Sequence, residues 1–254
     1  MKHSEIEQFV RELAFLSGDV IRPYFAKRDL KVDHKLDESP VTEADRRAEL
    51  VMRELIRDRY PNHGIIGEEF GSENEDAPFV WVLDPIDGTR PFTVGCPLFG
   101  TLICLLENGR PVFGAVHNPV LSQLLTGDNS VTTLNGDPVS VGNTSKLEEA
   151  TLLVSNLESP ELYQNGEKWR TLSSRVESVF TWGDCYGYLL VASGGADIMV
   201  DPIMNPWDLL ALVPIIRGAG GVITDWQGGD PVVGNSIIAS NPVIHPQVLA
   251  ILNP

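Results

Sequence analysis

Cysteine is scarce. Cys96, Cys104 and Cys185 are the only three in 254 residues, and no two stand at C-x-x-C spacing. That excludes a disulfide framework and a cysteine zinc site, and predicts buried thiols in a reducing cytoplasm. Long apolar runs are missing as well. Stretches such as Leu209 to Ile216 fall far short of the roughly 20 residues that span a bilayer. The start, Met1-Lys2-His3-Ser4-Glu5, contains no apolar segment of a secretory leader, so a cytoplasmic protein is expected. Positive charge is the third shortage. Against 35 Asp plus Glu stand 19 Lys plus Arg, giving a net charge of −16 and a pI near 4.6. Nucleic-acid binding needs a basic face, which this balance opposes, and an anionic membrane surface is disfavoured for the same reason. Taken alone, the charge even argues against a phosphorylated substrate.

What remains is an ordinary globular composition, 43% hydrophobic and 21% charged, with volume for a substantial core. Ile6, Phe9, Val10, Leu13, Leu16, Val20 and Tyr24 follow helical spacing, with a Ser4–Glu7 capping box at the start. Thr42 and Asp45 predict the N-cap of a second helix reaching about Tyr60. From Gly64 the pattern turns to short strands at 65–66, 79–83, 101–106, 112–116 and 121–126. Asn108-Gly109 and Asn135-Gly136 are hairpin dipeptides, so this half should pair antiparallel. Beyond about Asn143 to Glu149 the pattern alternates. Strands are expected at 151–155, 179–181, 197–200, 221–224 and 237–239, and helices at 161–175, 185–193, 207–218 and 246–252. The reading is a layered α/β (α+β) chain with an N-terminal half at 1–145 and a C-terminal half at 146–254 forming one catalytic unit.

The chemistry gathers where strands end. Trp81-Val82-Leu83 runs into Asp84-Pro85-Ile86-Asp87-Gly88-Thr89, two acids three residues apart followed by a predicted helix start. Converging carboxylate oxygens suit a hard cation such as Mg²⁺, and free N–H groups at a helix start suit a phosphate oxygen. The same segment, taken alone, reads equally as a capped turn. Glu68, in Gly67-Glu68-Glu69, follows another apolar pair, and Asp208 follows Trp207 ahead of an apolar run. Together these acids supply the ligands of a multi-metal phosphoryl-transfer site.

In order and spacing, Pro40-Val41-Thr42-Glu43-Ala44-Asp45, Gly67-Glu68-Glu69, the Asp84–Thr89 segment and Trp207-Asp208 with Gly220-Gly221 closely resemble the inositol monophosphatase superfamily. Within it, Glu69-Phe70-Gly71, Arg90-Pro91-Phe92, Phe99 to Ile103 and Trp182 to Tyr188 look most like the histidinol-phosphate phosphatase branch. Arg90-Pro91 departs from the Thr-Asn or Lys-Asn of many inositol phosphatases. The resemblance implies a five-layered αβαβα sandwich, a homodimer and two or three Mg²⁺ held by Glu68, Asp84, the Ile86 carbonyl, Asp87 and Asp208. It implies that Glu68 and a Thr89 hydroxyl bonded to Asp45 prepare the attacking water. It also implies that Gly88 and Thr89 N–H groups hold the phosphoryl oxygens, and that segment 34–39 forms a lid.

Asp184 and Asp201 fall in regions that line the organic part of the substrate in that family. Two acids there, beyond those on metal, favour an alcohol carrying an amine or imidazole over an uncharged polyol. Histidinol phosphate is the expected substrate, with inositol 1-phosphate or a range of sugar phosphates as the alternative. An inactive metal- or phosphometabolite-binding regulator is a third reading. None of His3, His34, His63, His117 and His245 pairs at ligand spacing, so the histidines are given surface or satisfied roles, with His117-Asn118-Pro119 in a hairpin or loop, and Trp81 and Trp207 are assigned to packing.

Overall fold

The computed structural model describes residues 3–34 and 40–253; most of the expected lid lies outside the described residues. Helix α1 (His3–Ile21) buries Phe9, Val10, Leu13, Ala14, Ser17, Gly18 and Ile21 on one face. It already contains His3, so the Ser4–Glu7 pair falls inside its first turn and forms no cap there. A 3-10 turn at Arg22–Tyr24 with Pro23 follows. Strands β1 (Val32–His34) and β2 (Pro40–Thr42) pair antiparallel. Helix α2 (Glu43–Arg59) starts on the predicted cap: the Thr42 hydroxyl accepts from the Ala44 N–H, and Asp45 accepts from the Thr42 N–H. Its buried face includes Asp45, Glu49 and Arg53 beside Ala48, Met52 and Ile56. Charged groups on a core face signal a task other than packing.

The first sheet holds β3 (Gly64–Gly67), β4 (Gly71–Glu73) and β5 (Phe79–Asp87). The short α3 (Thr89–Thr93) then precedes β6 (Gly100–Glu107), β7 (Arg110–Asn118), β8 (Gln123–Gly127), β9 (Thr132–Leu134) and β10 (Asp137–Val139). Their order is β10-β9-β8-β7-β6-β5-β3-β4. Pairing is antiparallel except between β3 and β5, which lie parallel and so bring the ends carrying Glu68 and Asp84 to one edge. Both predicted Asn-Gly turns are present, with φ of 51° and 76° at Asn108-Gly109 and 54° and 92° at Asn135-Gly136. Such values turn a chain in step with strand twist. Alternation sorts the strands: Trp81, Leu83, Ile103 and Leu105 pack towards α1 and α2, and Val80, Val82, Leu102 and Cys104 pack the other way.

The second half runs β11 (Thr151–Val154), α4 (Ser159–Tyr163), α5 (Gly166–Ser173), β12 (Ser178–Phe180), α6 (Asp184–Ala192) and β13 (Ile198–Asp201). It continues through α7 (Pro206–Leu209), α8 (Leu212–Gly218), β14 (Val222–Thr224), β15 (Ile237–Ser240) and α9 (His245–Leu252). Two predicted helices are each split. Asn165 caps α5 by accepting from the Glu167 and Lys168 N–H groups, which ends α4 early. Pro214 has no N–H for the Leu210 carbonyl, so the turn before it is broken and α7 separates from α8. The five strands order as β12-β11-β13-β15-β14. Helices α6 and α8 fill the space between the sheets, while α5 and α9 cover the far face of the second. The result is αβαβα, as expected, with one continuous apolar core on both sides of α6 and α8 and separate cores beneath the two outer helical layers.

His117 and Asn118 close β7 as buried residues, where a hairpin or loop is expected from the sequence. Cys104 and Cys185 are buried and Cys96 is half-buried, all as free thiols.

Candidate metal and active site

A register slip builds the centre of the site. On β5, Asp84 pairs with Leu102 but Asp87 pairs with Gly100, so β5 carries one extra residue. Residues three apart on a regular strand face opposite sides; the bulge turns both carboxylates to the same side. It is held internally. The Ile86 N–H donates to Asp84 Oδ1 at 2.9 Å, and the Thr101 hydroxyl donates to the Pro85 carbonyl at 2.8 Å. Asp208 arrives from α7, where its Oδ2 accepts from the Asn205 N–H at 3.0 Å in a capping box. Asp84, Asp87 and Asp208 each place a carboxylate oxygen within 4.8 Å of the others.

Three supporting acids stand around them. The Glu68 N–H donates to the Leu83 carbonyl at 3.2 Å, which keeps Glu68 alongside Asp84. Asp184 begins α6 with a φ of 51°, a left-handed conformation uncommon for a residue with a side chain. Its N–H donates to Ser155 Oγ at 2.9 Å. Asp45 is 1% exposed; its Oδ2 accepts from the Thr42 hydroxyl at 2.6 Å, and its Oδ1 is buried with no hydrogen-bond partner among the described residues.

Burial first, and crowding after it, raises the aspartates' affinity for protons. Burial, followed by the charges of Glu68, Asp87 and Asp208, holds Asp84 well above the usual carboxylate range. Burial and the charges of Asp184 and Asp208 do the same to Asp87. Asp208 and Asp45 are pushed up to about 6, each chiefly by burial with Glu68 adding to it. Clustered carboxylates, together with a buried Asp45 oxygen that finds no hydrogen-bond partner among the described residues, form an oxygen-only donor set that fits hard divalent cations.

Beside the cluster opens a cavity of about 540 Å³, lined by Glu68, Gly88, Thr89, Arg90, Ser155, Asn156 and Asp184 among others. Gly88 is required there. Its φ is 87°, and a Cβ would meet the Leu98 carbonyl at 3.0 Å and Asp184 Oδ2 at 3.1 Å. Arg90, on the same wall, counteracts the burial that pushes Asp184 up to about 6.

Two expectations change. Among the described residues Thr89 is not hydrogen-bonded to Asp45; its hydroxyl donates to the Ile86 carbonyl at 3.0 Å, because α3 begins at Thr89 and folds it back over the bulge. Asp201 does not line the cavity. It is 6% exposed and accepts from the Tyr188 hydroxyl at 2.9 Å, with burial pushing it up to about 7. Trp81 is fully buried and donates to His63 Nδ1 at 3.1 Å, whereas Trp207 Nε1 is buried with no partner among the described residues. Reading for acids at strand ends passed over Glu49 and Arg53. Their signal is the i, i+4, i+8 stripe they form with Asp45 along α2.

Cys104 and Arg110 stand at the C-x5-R spacing of cysteine phosphatases. Cys104 is buried within β6, with its thiol pushed far upward by burial, and Arg110 opens β7 on the exposed hairpin. They do not form a thiolate site.

Stacked sheets with bulge-borne carboxylates at one edge define a metal-dependent phosphomonoester hydrolase. Residues 2–253 match the inositol monophosphatase family, and the chain belongs to that family. It is 44% identical over 236 residues to the chloroplastic bifunctional phosphatase IMPL2 of Arabidopsis thaliana, covering 90% of this chain and 67% of that one. With the histidinol-phosphatase of Chlorobaculum parvum it shares 36% identity over 248 residues, 96% of this chain and 95% of the other. The solved structure of an inositol monophosphatase from Zymomonas mobilis superposes with a TM-score of 0.86 at 34% identity, covering 100% of both chains.

Proposed function

We propose that this protein hydrolyses histidinol phosphate to histidinol and phosphate. Glu68, Asp84, the Ile86 carbonyl, Asp87 and Asp208 would hold two or three Mg²⁺ ions. When bound, the cations supply Lewis-acid polarisation of the phosphoryl group and activation of water. The residues themselves orient the reactants. Backbone N–H groups of Gly88 and Thr89 bind the phosphoryl oxygens as charge builds on them. Water attacks phosphorus, the bond to the alcohol oxygen breaks, and the departing alkoxide takes a proton from solvent. Glu68, with Thr89 and Asp45, orients that water, and the free Asp45 Oδ1 is an acceptor for its proton. The two halves, 1–145 and 146–254, act as one catalytic unit.

The observation that carries the substrate assignment is Asp184 on the cavity wall, where an acid complements an ammonium or imidazolium group on the alcohol. Arg90 favours its ionised form. Asp201, buried behind that wall, contributes by fixing Tyr188. The named histidinol-phosphatase relative supports the same choice. The full-length likeness to an inositol monophosphatase favours the alternative, inositol 1-phosphate. Steady-state kinetics with Mg²⁺ on both esters separates them. A kcat/KM at least tenfold higher for the inositol ester would overturn the assignment, and absence of phosphate release from any small monoester would favour a non-catalytic regulator.

A homodimer is the proposed assembly. Phe180 and Trp182 stack at 4.2 Å on and just after the edge strand β12, both partly exposed, as an apolar surface suited to a second copy. Light scattering at micromolar concentration tests it.

A further inference from the structure

The turn that carries Glu68 is held by a side chain the reaction does not otherwise use. Glu49 lies in the second turn of α2 and is fully buried. It accepts from the Glu69 N–H at 2.8 Å and the Phe70 N–H at 3.2 Å, and from Arg53 Nε at 2.7 Å. Arg53, itself 3% exposed, donates onward to the Gly71 carbonyl. Three successive residues after Glu68 are thus bonded through their backbone to one buried ion pair. Gly67, before Glu68, is equally confined: a Cβ there would stand 2.0 Å from Glu49 Oε1.

Burying an ion pair costs as much as it returns, and apolar residues of similar volume would serve a core at least as well. What apolar residues cannot do is accept two backbone N–H bonds and so fix a turn. Asp45 sits one helical turn before Glu49 on the same face of α2. One rigid helix therefore sets the orphaned Asp45 oxygen and the Glu68 turn relative to each other.

We propose that Glu49 is a positioning residue, which locks the Gly67–Gly71 turn so that the Glu68 carboxylate is aimed at the metal cluster before any cation arrives. The proposal rests on the reading of Glu68 as a metal ligand. Its effect is on metal affinity, so a loosened turn must be ordered again at each binding event.

The test titrates metal-free protein with Mn²⁺, following free ion by electron paramagnetic resonance, and compares wild type with E49Q and E68Q. Gln offers one acceptor oxygen to three donors and turns its NH₂ against one of them. The expected E49Q result is a dissociation constant for the tightest Mn²⁺ site raised tenfold or more. The Mg²⁺ concentration for half-maximal phosphatase activity rises in parallel, with kcat at saturating Mg²⁺ within threefold of wild type. A merely structural role would lower the melting temperature and leave both metal constants unchanged. Folded E49Q that binds Mn²⁺ within twofold of wild type, while E68Q is weakened tenfold, would overturn the proposal. E68Q that binds as wild type would instead overturn the ligand reading of Glu68. Should E49Q not fold, E49Q/R53M, which leaves no unpaired guanidinium, is held to the same criterion. Hydrogen exchange on metal-free wild type adds an arm needing no variant. The Glu69 and Phe70 amides should exchange as slowly as those of β3, and exchange at the rate of an open loop would overturn the proposal.

Discussion

The backbone N–H of Cys185 donates to the Asp87 carboxylate, tying the end of β5 to the first turn of α6 across the two halves of the chain. The bond steadies Asp87 and places Asp184 immediately beside the acidic cluster. On the proposed reading of Asp184, phosphate chemistry and leaving-group recognition share a single junction.

Asp184→Asn keeps the shape of that junction and removes its charge. The expected outcome is a fall of about tenfold or more in kcat/KM for histidinol phosphate, equivalent to about 1.4 kcal/mol. The change for an uncharged ester such as glycerol 2-phosphate should be below threefold. Equal losses on both esters would show that Asp184 acts through the metal cluster and not through the alcohol.

Asp84→Asn should abolish phosphatase activity by a factor of roughly 10³ or more, since it removes a central acid of the cluster. The amide oxygen can still accept the Ile86 N–H, so circular dichroism should be unchanged. Metal-free D84N should also melt higher than metal-free wild type, because a buried carboxylate among like charges has been neutralised. Adding Mg²⁺ should raise the melting temperature of wild type, reversibly with a chelator, and should do little for D84N. A substantial Mg²⁺-induced shift in the variant would place the metal elsewhere.

Much of this was legible in the sequence. Asn-Gly turns, the Thr42–Asp45 cap and the acids at strand ends all follow from local chemistry, and they stand where expected. The bulge did not announce itself, because Pro85-Ile86 within an apolar strand looks like a turn and its register depends on β6. Nor did the two broken helices, where single residues, Asn165 and Pro214, outweigh a continuous apolar period. The stripe of Asp45, Glu49 and Arg53 resembles an ordinary solvated helix face until β3 and β4 are seen to cover it.

Gly114→Ala tests the packing between sheet and middle helices. A Cβ at Gly114 would stand 2.0 Å from the Ala211 carbonyl and 3.0 Å from Pro214 Cγ, against the break between α7 and α8. Destabilisation of about 3 kcal/mol or more is expected, read as a melting point lowered by roughly 6–12 °C. A change within 2 °C would mean that the break is free to move aside.

His117 and His245 should stay neutral well below the usual histidine range. Burial lowers both to about 4 from 6.5; His245 also lies between Thr224 and Ser240 hydroxyls, each at 3.0 Å. Because the unfolded chain protonates these rings first, their contribution to stability is complete above about pH 6.5. It is lost as pH falls towards 4, by up to roughly 3 kcal/mol for each ring. Ring resonances of both should be constant between pH 8 and 5.5 by NMR; titration of either near pH 6.5 would contradict the burial argument.

The Asp84–Asp87–Asp208 triangle also sets a rule for biosynthesis. A ribosome delivers Asp84 and Asp87 early, but Asp208 emerges only after the whole first sheet and most of the second half have been translated. A chain released prematurely carries the Gly88-Thr89 turn and two of the acids without the third acidic corner. Competence to hydrolyse is therefore withheld until nearly the full polypeptide has been made and its two sheets have docked. Products that end before Asp208 should therefore be inactive towards phosphoesters.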